Sequence, residues 1–275
     1  MFDAHREAWD FPVEMEPLFT GEGIEAPNTM AIVRKDTNQI LGTHSKRYNL
    51  IPHDDIINKT MDAIADANIS KDFKTKFEVF ENGAKLRGEI LFPDINIEPV
   101  VGDYSSFRIE FYSSYDAAWP YAHVTQAFRW WCANGCTTAD TFASTRRKHT
   151  KNLVIEADTA KMKASVSDFM GLESKWKEWM GISVTETSAE YFFKKTLAKT
   201  FSHTSKFKHN ETQLEKLMEQ FHSEKAKLGR NKWALYNTMT AWATHTDALA
   251  SPAAARRTRQ TQVASAMQDS YFTSM

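Results

Sequence analysis

The sequence predicts an α+β protein: a curved, mainly antiparallel sheet with a packed helix, followed by a C-terminal helical region. Three observations carry that expectation. Apolar and polar residues alternate with a period of two in the first half, as at Phe107, Ile109 and Phe111 against Arg108, Glu110 and Tyr112. Two turn signals, Lys35-Asp36-Thr37-Asn38 and Glu81-Asn82-Gly83, stand between such runs. From Ala157 onward the apolar spacing becomes helical.

Taken in order, Thr29–Arg34 and Gln39–Gly42 read as a hairpin around the first turn. Ile51–Asp66 reads as a helix, with Pro52 at its start, acids in the first turn and Ile56, Ile57, Met61 and Ile64 along one face. Phe73–Phe80 and Ala84–Phe92 flank the Asn-Gly turn as a second hairpin. Ser106–Tyr112 is expected to be a half-buried strand. Tyr121–Cys132 is its expected partner, with Ala122, Val124, Gln126, Phe128 and Trp130 on one face and His123, Thr125, Ala127, Arg129 and Trp131 on the other.

The helical half comprises Thr159–Met180, Ser188–Phe201, Asn210–Leu228 with an N-cap candidate, and Asn231–Thr246 with Trp233, Tyr236, Met239 and Trp242 at helical spacing. The organisation expected is an acidic N-terminal arm over 1–25, a sheet-rich domain over 26–156, a helical region over 157–246 and a flexible basic tail over 247–275.

A chain of 275 residues with 42% hydrophobic and 25% charged residues can bury a sizeable core, which excludes wholesale disorder. No apolar run approaches the roughly 18 residues of a membrane span, so no membrane partner is expected. The acidic N-terminus does not read as a signal peptide, and Cys132 and Cys136 are too few for a disulfide framework. The expected location is the cytoplasm.

The net charge is −1, but charge is segregated. Residues 1–30 hold seven acids against Arg6 alone, whereas residues 121–152 hold Arg129, Arg146, Arg147, Lys148 and Lys151 against Asp140 alone. Tyr191–His209 adds five lysines and two histidines with no acid. Flat aromatic surface beside a cationic cluster is what a single-stranded nucleic acid requires, because bases stack and phosphates need counter-charge. The segment Ala127–Asn152 has both. Arg146, Arg147, Lys148, His149 and Lys151 are the candidate phosphate contacts, Arg129 the assisting cation and Trp131 the stacking ring. A solvated loop and ordinary core packing of both tryptophans are the competing readings.

Signals for catalysis are weak. Ser114, His123 and Asp116 supply the residue types of a nucleophilic triad without diagnostic spacing. His53, Asp54, Asp55 and Asp94 could be drawn as a metal cluster, yet acids at a helix start are expected for dipole reasons. Cys132 and Cys136, with His123 and His149, do not match a zinc finger or ribbon, and buried free thiols are the favoured reading. No phosphate-cradling glycine motif occurs. No enzyme, cofactor or metal is expected.

The order of features resembles the phage/plasmid-like protein family, a domain of unknown function found in bacteriophages and mobile elements. The matching pieces are residues 41–55 (LGTHSKRYNLIPHDD), the Cys-Ala-Asn-Gly turn at 132–135, the Arg-Lys-His-Thr run at 147–150 and residues 233–245 (WALYNTMTAWATH). The resemblance spans roughly residues 25–246 and departs at Thr240-Ala241-Trp242, where a Thr-Glu-Tyr-like step is expected. It implies a phage or mobile-element origin, a setting shared with single-strand annealing and DNA-binding factors, and no established reaction. The function expected is therefore non-catalytic binding of nucleic acid, single-stranded DNA foremost, in phage replication or recombination, with a homo-oligomeric ring or filament extending the groove. Two rival readings stand beside it: an interaction factor acting on a host or phage protein, and a metal-dependent enzyme acting on nucleic acid.

Overall fold

The structure, a computed structural model, describes residues 8–130, 136–147, 159–198, 210–245 and 252–275, with side chains described except at 136–143, 252–254 and 257. Among the described residues, two antiparallel sheets and seven helices make an α+β fold. The chain divides into two compact units that alternate along the sequence. The first takes Met1–Ile95, Phe107–Thr125 and Phe142–Ser167, and the second Asn96–Ser106, Gln126–Thr141 and Asp168–Met275.

In the first unit, β1 (Val13–Phe19), β2 (Glu25–Arg34) and β3 (Gln39–Ser45) form a three-stranded meander. The expected first hairpin is present, with Arg34 opposite Gln39 and Asn38 in the left-handed region at φ 55°. The acidic arm is not simply solvated. Its alternation of Val13 and Met15 with Glu14 and Glu16 builds the edge strand β1, and Lys35 Nζ lies 2.5 Å from Glu16 and 3.8 Å from Glu14. Trp9 and Phe11, upstream of β1, are buried, and Phe11 joins Ile32, Leu41, Ala84 and Tyr115 in one core cluster.

Helix α1 (His53–Ala67) turns Ile56, Ile57, Thr60, Ala63, Ile64 and Ala67 inward and ends on Asn68 in the left-handed conformation at φ 48°. The stretch leading into it is absorbed by packing around Tyr115. Gly42 leaves room for the Tyr115 carbonyl, which a Cβ there would meet at 2.1 Å. His44 stacks on Tyr48 at 3.9 Å, and His53 stacks on Tyr115 at 4.1 Å while its backbone N–H donates to the Tyr115 hydroxyl at 2.8 Å.

The second sheet runs in the order β4 (Lys74–Phe80), β5 (Lys85–Val100), β6 (Asp103–Ser114), β7 (Tyr121–Arg129) and β8 (Cys136–Arg147). The second expected hairpin closes on Glu81, Asn82 and Gly83, all at positive φ. Within the first unit, Phe77, Leu86, Ile90, Phe92, Phe107, Ile109 and Phe111 are buried. Gly88 is required there, since a Cβ would stand 2.1 Å from Phe111 Cζ.

The alternate residues of β6 differ from expectation. Arg108, Glu110 and Tyr112 are buried too, so β6 is not a half-buried strand. Their charges are answered sideways, strand to strand. Arg87 pairs with Glu78 at 2.7 Å, with Glu89 at 2.8 Å and with Glu110, while Arg108 pairs with Glu89 at 3.1 Å and Glu110 at 3.0 Å. Buried charges persist only when paired in this way.

In the second unit, α5 (Lys232–Thr244) is buried on every side, not along one stripe. Its polar side chains bond within the helix: Asn237 donates to the Trp233 carbonyl at 2.8 Å, Thr238 to Ala234 at 2.9 Å and Thr244 to Thr240 at 2.9 Å. Asn231 caps it through the Ala234 N–H at 2.9 Å. Around it, Trp176 of α2 (Thr159–Gly181) meets Trp233 at 4.6 Å, and Phe193 of α3 (Glu186–Leu197) meets Phe221 of α4 (Glu211–Leu228) at 6.1 Å. The caps of α3 and α4 are Thr185 and Asn210, the latter as expected.

The tail expected to be flexible instead forms α6 (Pro252–Met267) and α7 (Ser270–Thr273). Val263 and Phe272 are buried, and Arg259 Nη1 donates to the Trp242 carbonyl near the end of α5 at 2.8 Å. Alanine-rich sequence favours helix, and two apolar anchors are enough to dock it.

Candidate functional site

Strand β7 alternates as the sequence predicts, but the sense of its faces is reversed. His123, Thr125, Ala127 and Arg129 form the buried face, while Ala122, Val124 and Phe128 are half-buried and Trp130, just past the strand, is 41% exposed. Arg129 is therefore not available as an assisting phosphate contact: it is 0% exposed. Its Nε and Nη2 donate to the two oxygens of Asp103 at 2.5 and 2.9 Å, and Nη1 approaches Glu224 at 3.3 Å. Trp233 covers the guanidinium at 5.7 Å and donates its indole N–H to Asp103 at 3.4 Å. Two buried carboxylates answer one arginine, which is an interior keystone and leaves no charge for a ligand.

Among the described tryptophans, Trp130 is the one that meets solvent. Its indole N–H donates to Ser106 Oγ at 2.7 Å, its backbone N–H donates to the Tyr104 carbonyl at 2.9 Å, and Phe128 packs edge-on at 5.2 Å and 84°. Tyr104, 45% exposed, lies two residues before Ser106 on the same face of β6. The sequence offers Trp130 and Trp131 together as stacking rings and favours Trp131, while Tyr104 carries no assignment there. The signal available for Trp130 is the small company of Arg129 on the opposite face, Ala127 and Thr125, which fits an interior better than a groove.

Arg146 and Arg147 end strand β8 and are not part of a loop. Arg146 is exposed, Arg147 half-buried and Thr145 buried, as strand alternation requires. Arg34, Arg87, Arg108 and Arg129 each lie within 4 Å of a carboxylate, whereas Arg146 has no such ion pair among the described residues. Arg146 and Arg147 fall in the first unit and Trp130 in the second. Trp131, Lys148, His149 and Lys151 lie outside the described residues, as does Cys132. Within the Lys194–Lys208 cluster, Lys194 pairs with Glu190 at 2.5 Å and Lys195 with Asp269 at 2.6 Å, so these two are locally neutralised.

Ser114, Asp116, His53 and Asp94, considered for catalysis or metal binding, are engaged elsewhere. Ser114 Oγ donates to the Trp119 carbonyl at 3.0 Å and accepts its N–H at 2.9 Å. Asp116 lies 3.3 Å from Lys85 and accepts the Ala118 N–H at 2.9 Å. His53 Nε2–H donates to the Gly83 carbonyl at 2.9 Å, and Asp94 accepts from Ser70 at 2.6 Å. Among the described residues, no group of three or more His, Cys, Asp or Glu is arranged to hold a metal ion, and no helix is long and apolar enough to cross a membrane.

Burial raises the Glu110 carboxyl and the Arg108 and Arg87 guanidiniums lower it further, leaving it at about 2. Burial and the Glu110 charge push the Tyr112 phenol well above its ordinary value, and its hydroxyl donates to Glu110 at 2.5 Å. This set is a closed ion-pair lattice, not a poised acid and base.

A family model described as a domain of unknown function, DUF932, matches residues 40–271. No curated protein and no solved structure matches the chain.

Proposed function

This chain belongs to the DUF932 family, a domain of unknown function, and we propose from its own surface that it is a non-catalytic nucleic-acid-binding protein. Single-stranded DNA is the favoured ligand. The observation that carries the reading is Arg146: an exposed arginine with no carboxylate partner among the described residues, followed by half-buried Arg147 and, in sequence, by Lys148, His149 and Lys151. An exposed guanidinium at the head of a cationic run suits phosphate, which it can grip with two parallel hydrogen bonds. Trp131 remains a stacking candidate on sequence grounds.

The resemblance to phage/plasmid-like proteins supports a setting in phage replication or recombination, in the host cytoplasm, with self-assembly extending the binding surface.

Fluorescence anisotropy with a labelled single strand over a salt series tests this. Affinity is expected to fall steeply with salt, and replacing Arg146, Arg147 and Lys148 with Ala is expected to weaken binding more than tenfold. The log–log salt slope should shrink by roughly 0.7 for each phosphate contact removed. Absence of binding at low salt, or binding indifferent to salt, overturns the reading. Unchanged affinity of the triple variant moves the surface elsewhere.

A further inference from the structure

We infer that the outer edge of β3 is a self-association surface, on which a second copy of this chain pairs antiparallel across a two-fold axis at Thr43. The inference deepens the self-assembly part of the reading above and does not depend on strand binding.

Strand β3 is an edge of its sheet, which runs in the order β1-β2-β3. Among the described residues, the backbone of Gln39–Ser45 bonds along β2, and beyond that only the Ser45 carbonyl is used, by the Tyr48 N–H at 3.0 Å. The outer side of the strand therefore carries unpaired N–H and C=O groups, which a further strand can take up.

Other edges are guarded. Strand β1 carries Glu14, Glu16 and Pro17, and β4 carries Lys74, Lys76 and Glu78. Charges and proline on an edge oppose pairing, so joining β3 head to tail onto β1 meets two acids and a missing donor. Strand β3 has no Lys, Arg, Asp, Glu or Pro, and its Ile40 is 57% exposed. Its one protection is a bulge at Leu41, since Ile32 faces Gly42 while Val33 faces Ile40. The bulge confines the free ladder to residues 41–45, centred on exposed Thr43. So short a ladder makes a weak, concentration-dependent dimer.

The two ends of β3 differ in charge, and this selects the partner. An open groove of about 380 Å³ at its start is lined by Gln39, Ile40, Glu81 and Asp116 among others. Glu81 and Asp116 share a single cation, Lys85, at 2.5 and 3.3 Å, which leaves one negative charge in excess. Arg34, beside Asn82, is answered by Asp36 at 2.7 Å. Just past the other end Lys46 pairs with Glu25 at 3.2 Å, but Arg47 is exposed and has no ion pair among the described residues. Antiparallel pairing about Thr43 sets Gln39 opposite the second copy's Arg47, so each groove receives a guanidinium and both excess charges are answered. A basic peptide strand would suit the groove but be repelled at Arg47, and an acidic one the reverse. The chain itself carries the complementary pair of ends.

Sedimentation velocity of the full chain without nucleic acid, from about 1 to about 100 µM, is expected to show a monomer–dimer equilibrium. Thr43→Lys, which sets two cations face to face at the axis, should weaken the dimer more than about tenfold. Arg47→Glu should weaken it about tenfold at low salt, and the exchange Arg47→Glu with Glu81→Lys should restore it. Unchanged thermal unfolding of the Arg47→Glu variant separates loss of pairing from loss of fold. Under mild oxidation Thr43→Cys should form an intermolecular disulfide at position 43, identified by peptide mass spectrometry, because opposed residues of antiparallel strands stand within disulfide reach. Wild type, whose thiols are Cys132 and Cys136, is the control.

A monomer throughout that range overturns the inference and leaves the phosphate reading of Arg146 intact. A dimer or larger assembly indifferent to Thr43→Lys and to the charge exchange lies on another surface and also overturns it. Absence of strand binding, with the dimer lost in Thr43→Lys and restored by the charge exchange, removes the nucleic-acid reading and sustains this one.

Discussion

Arg129 grips Asp103 with two N–H···O bonds of 2.5 and 2.9 Å, and both residues are fully buried. Removing the guanidinium strands the Asp103 and Glu224 carboxylates in the interior, where unpaired charge is costly. Arg129→Leu is expected to lower unfolding stability by about 3–5 kcal/mol. Urea titration followed by tryptophan fluorescence measures it. In the double variant with Asp103→Asn the loss should be smaller than the sum of the single losses, since the two share one contact. A loss within about 0.5 kcal/mol of zero contradicts the keystone assignment.

Gly88 makes a separate, steric prediction. A methyl group there would stand 2.1 Å from Phe111 Cζ, and Phe111 is buried among Phe77 and its neighbours. Gly88→Ala is expected to cost about 1–3 kcal/mol by overpacking. Phe111→Leu, costly alone, should cost less in the Gly88→Ala background because the shorter side chain vacates the contact. Additive losses in a chemical denaturation cycle contradict this account.

The charge lattice of β5 and β6 predicts how acid unfolds the protein. Glu110 has its carboxyl held at about 2 in the folded state, against an ordinary 4.5, because Arg108 and Arg87 outweigh its burial. A depressed folded value stabilises the protein above the unfolded value, and that stabilisation is lost as pH falls from about 4.5 through about 2. The contribution is on the order of 3 kcal/mol from the shift. Melting temperatures measured between pH 5 and pH 2 should therefore fall steeply for wild type. Glu110→Gln should start lower and show a shallower acid limb, and parallel limbs would place the acid sensitivity elsewhere.

How much of this was legible in the sequence depends on whether a signal was local. Turns at Asn38 and Asn82, the cap Asn210 and the period of α1 depend on neighbouring residues, and all lie where the pattern puts them. Strand parity in β7 was equally local, and it too was readable. Which face turns inward was not, because the burial of Arg129 depends on Asp103 and Glu224, distant in sequence. Arg108 and Glu110 follow the same logic: the alternation that marks a solvated face also marks a buried ion-pair lattice when the next strand supplies Arg87 and Glu89. For the candidate site, composition located the aromatic-cationic segment; among its described residues the exposed ring is Trp130 and Arg129 is interior.

The C-terminal segment supplies the last prediction. Phe272 is buried against Trp179 at 5.3 Å and Phe192 at 5.4 Å, with the Lys232 ammonium 4.6 Å from its ring. Burial lowers the Lys232 pKa, so the cation is held there against desolvation, with the aromatic faces as partial compensation. Phe272→Ala is expected to cost about 3–5 kcal/mol and to leave Trp179 and Phe192 without their cover. Amide hydrogen exchange should then accelerate in α6 and α7 before it does in α5, whose residues are buried on all sides. Lys232→Met keeps the volume and removes the desolvated charge, so it is expected to leave stability within about 1.5 kcal/mol of wild type. Exchange in α6 and α7 as fast in wild type as in Phe272→Ala would show that the ring does not dock the segment.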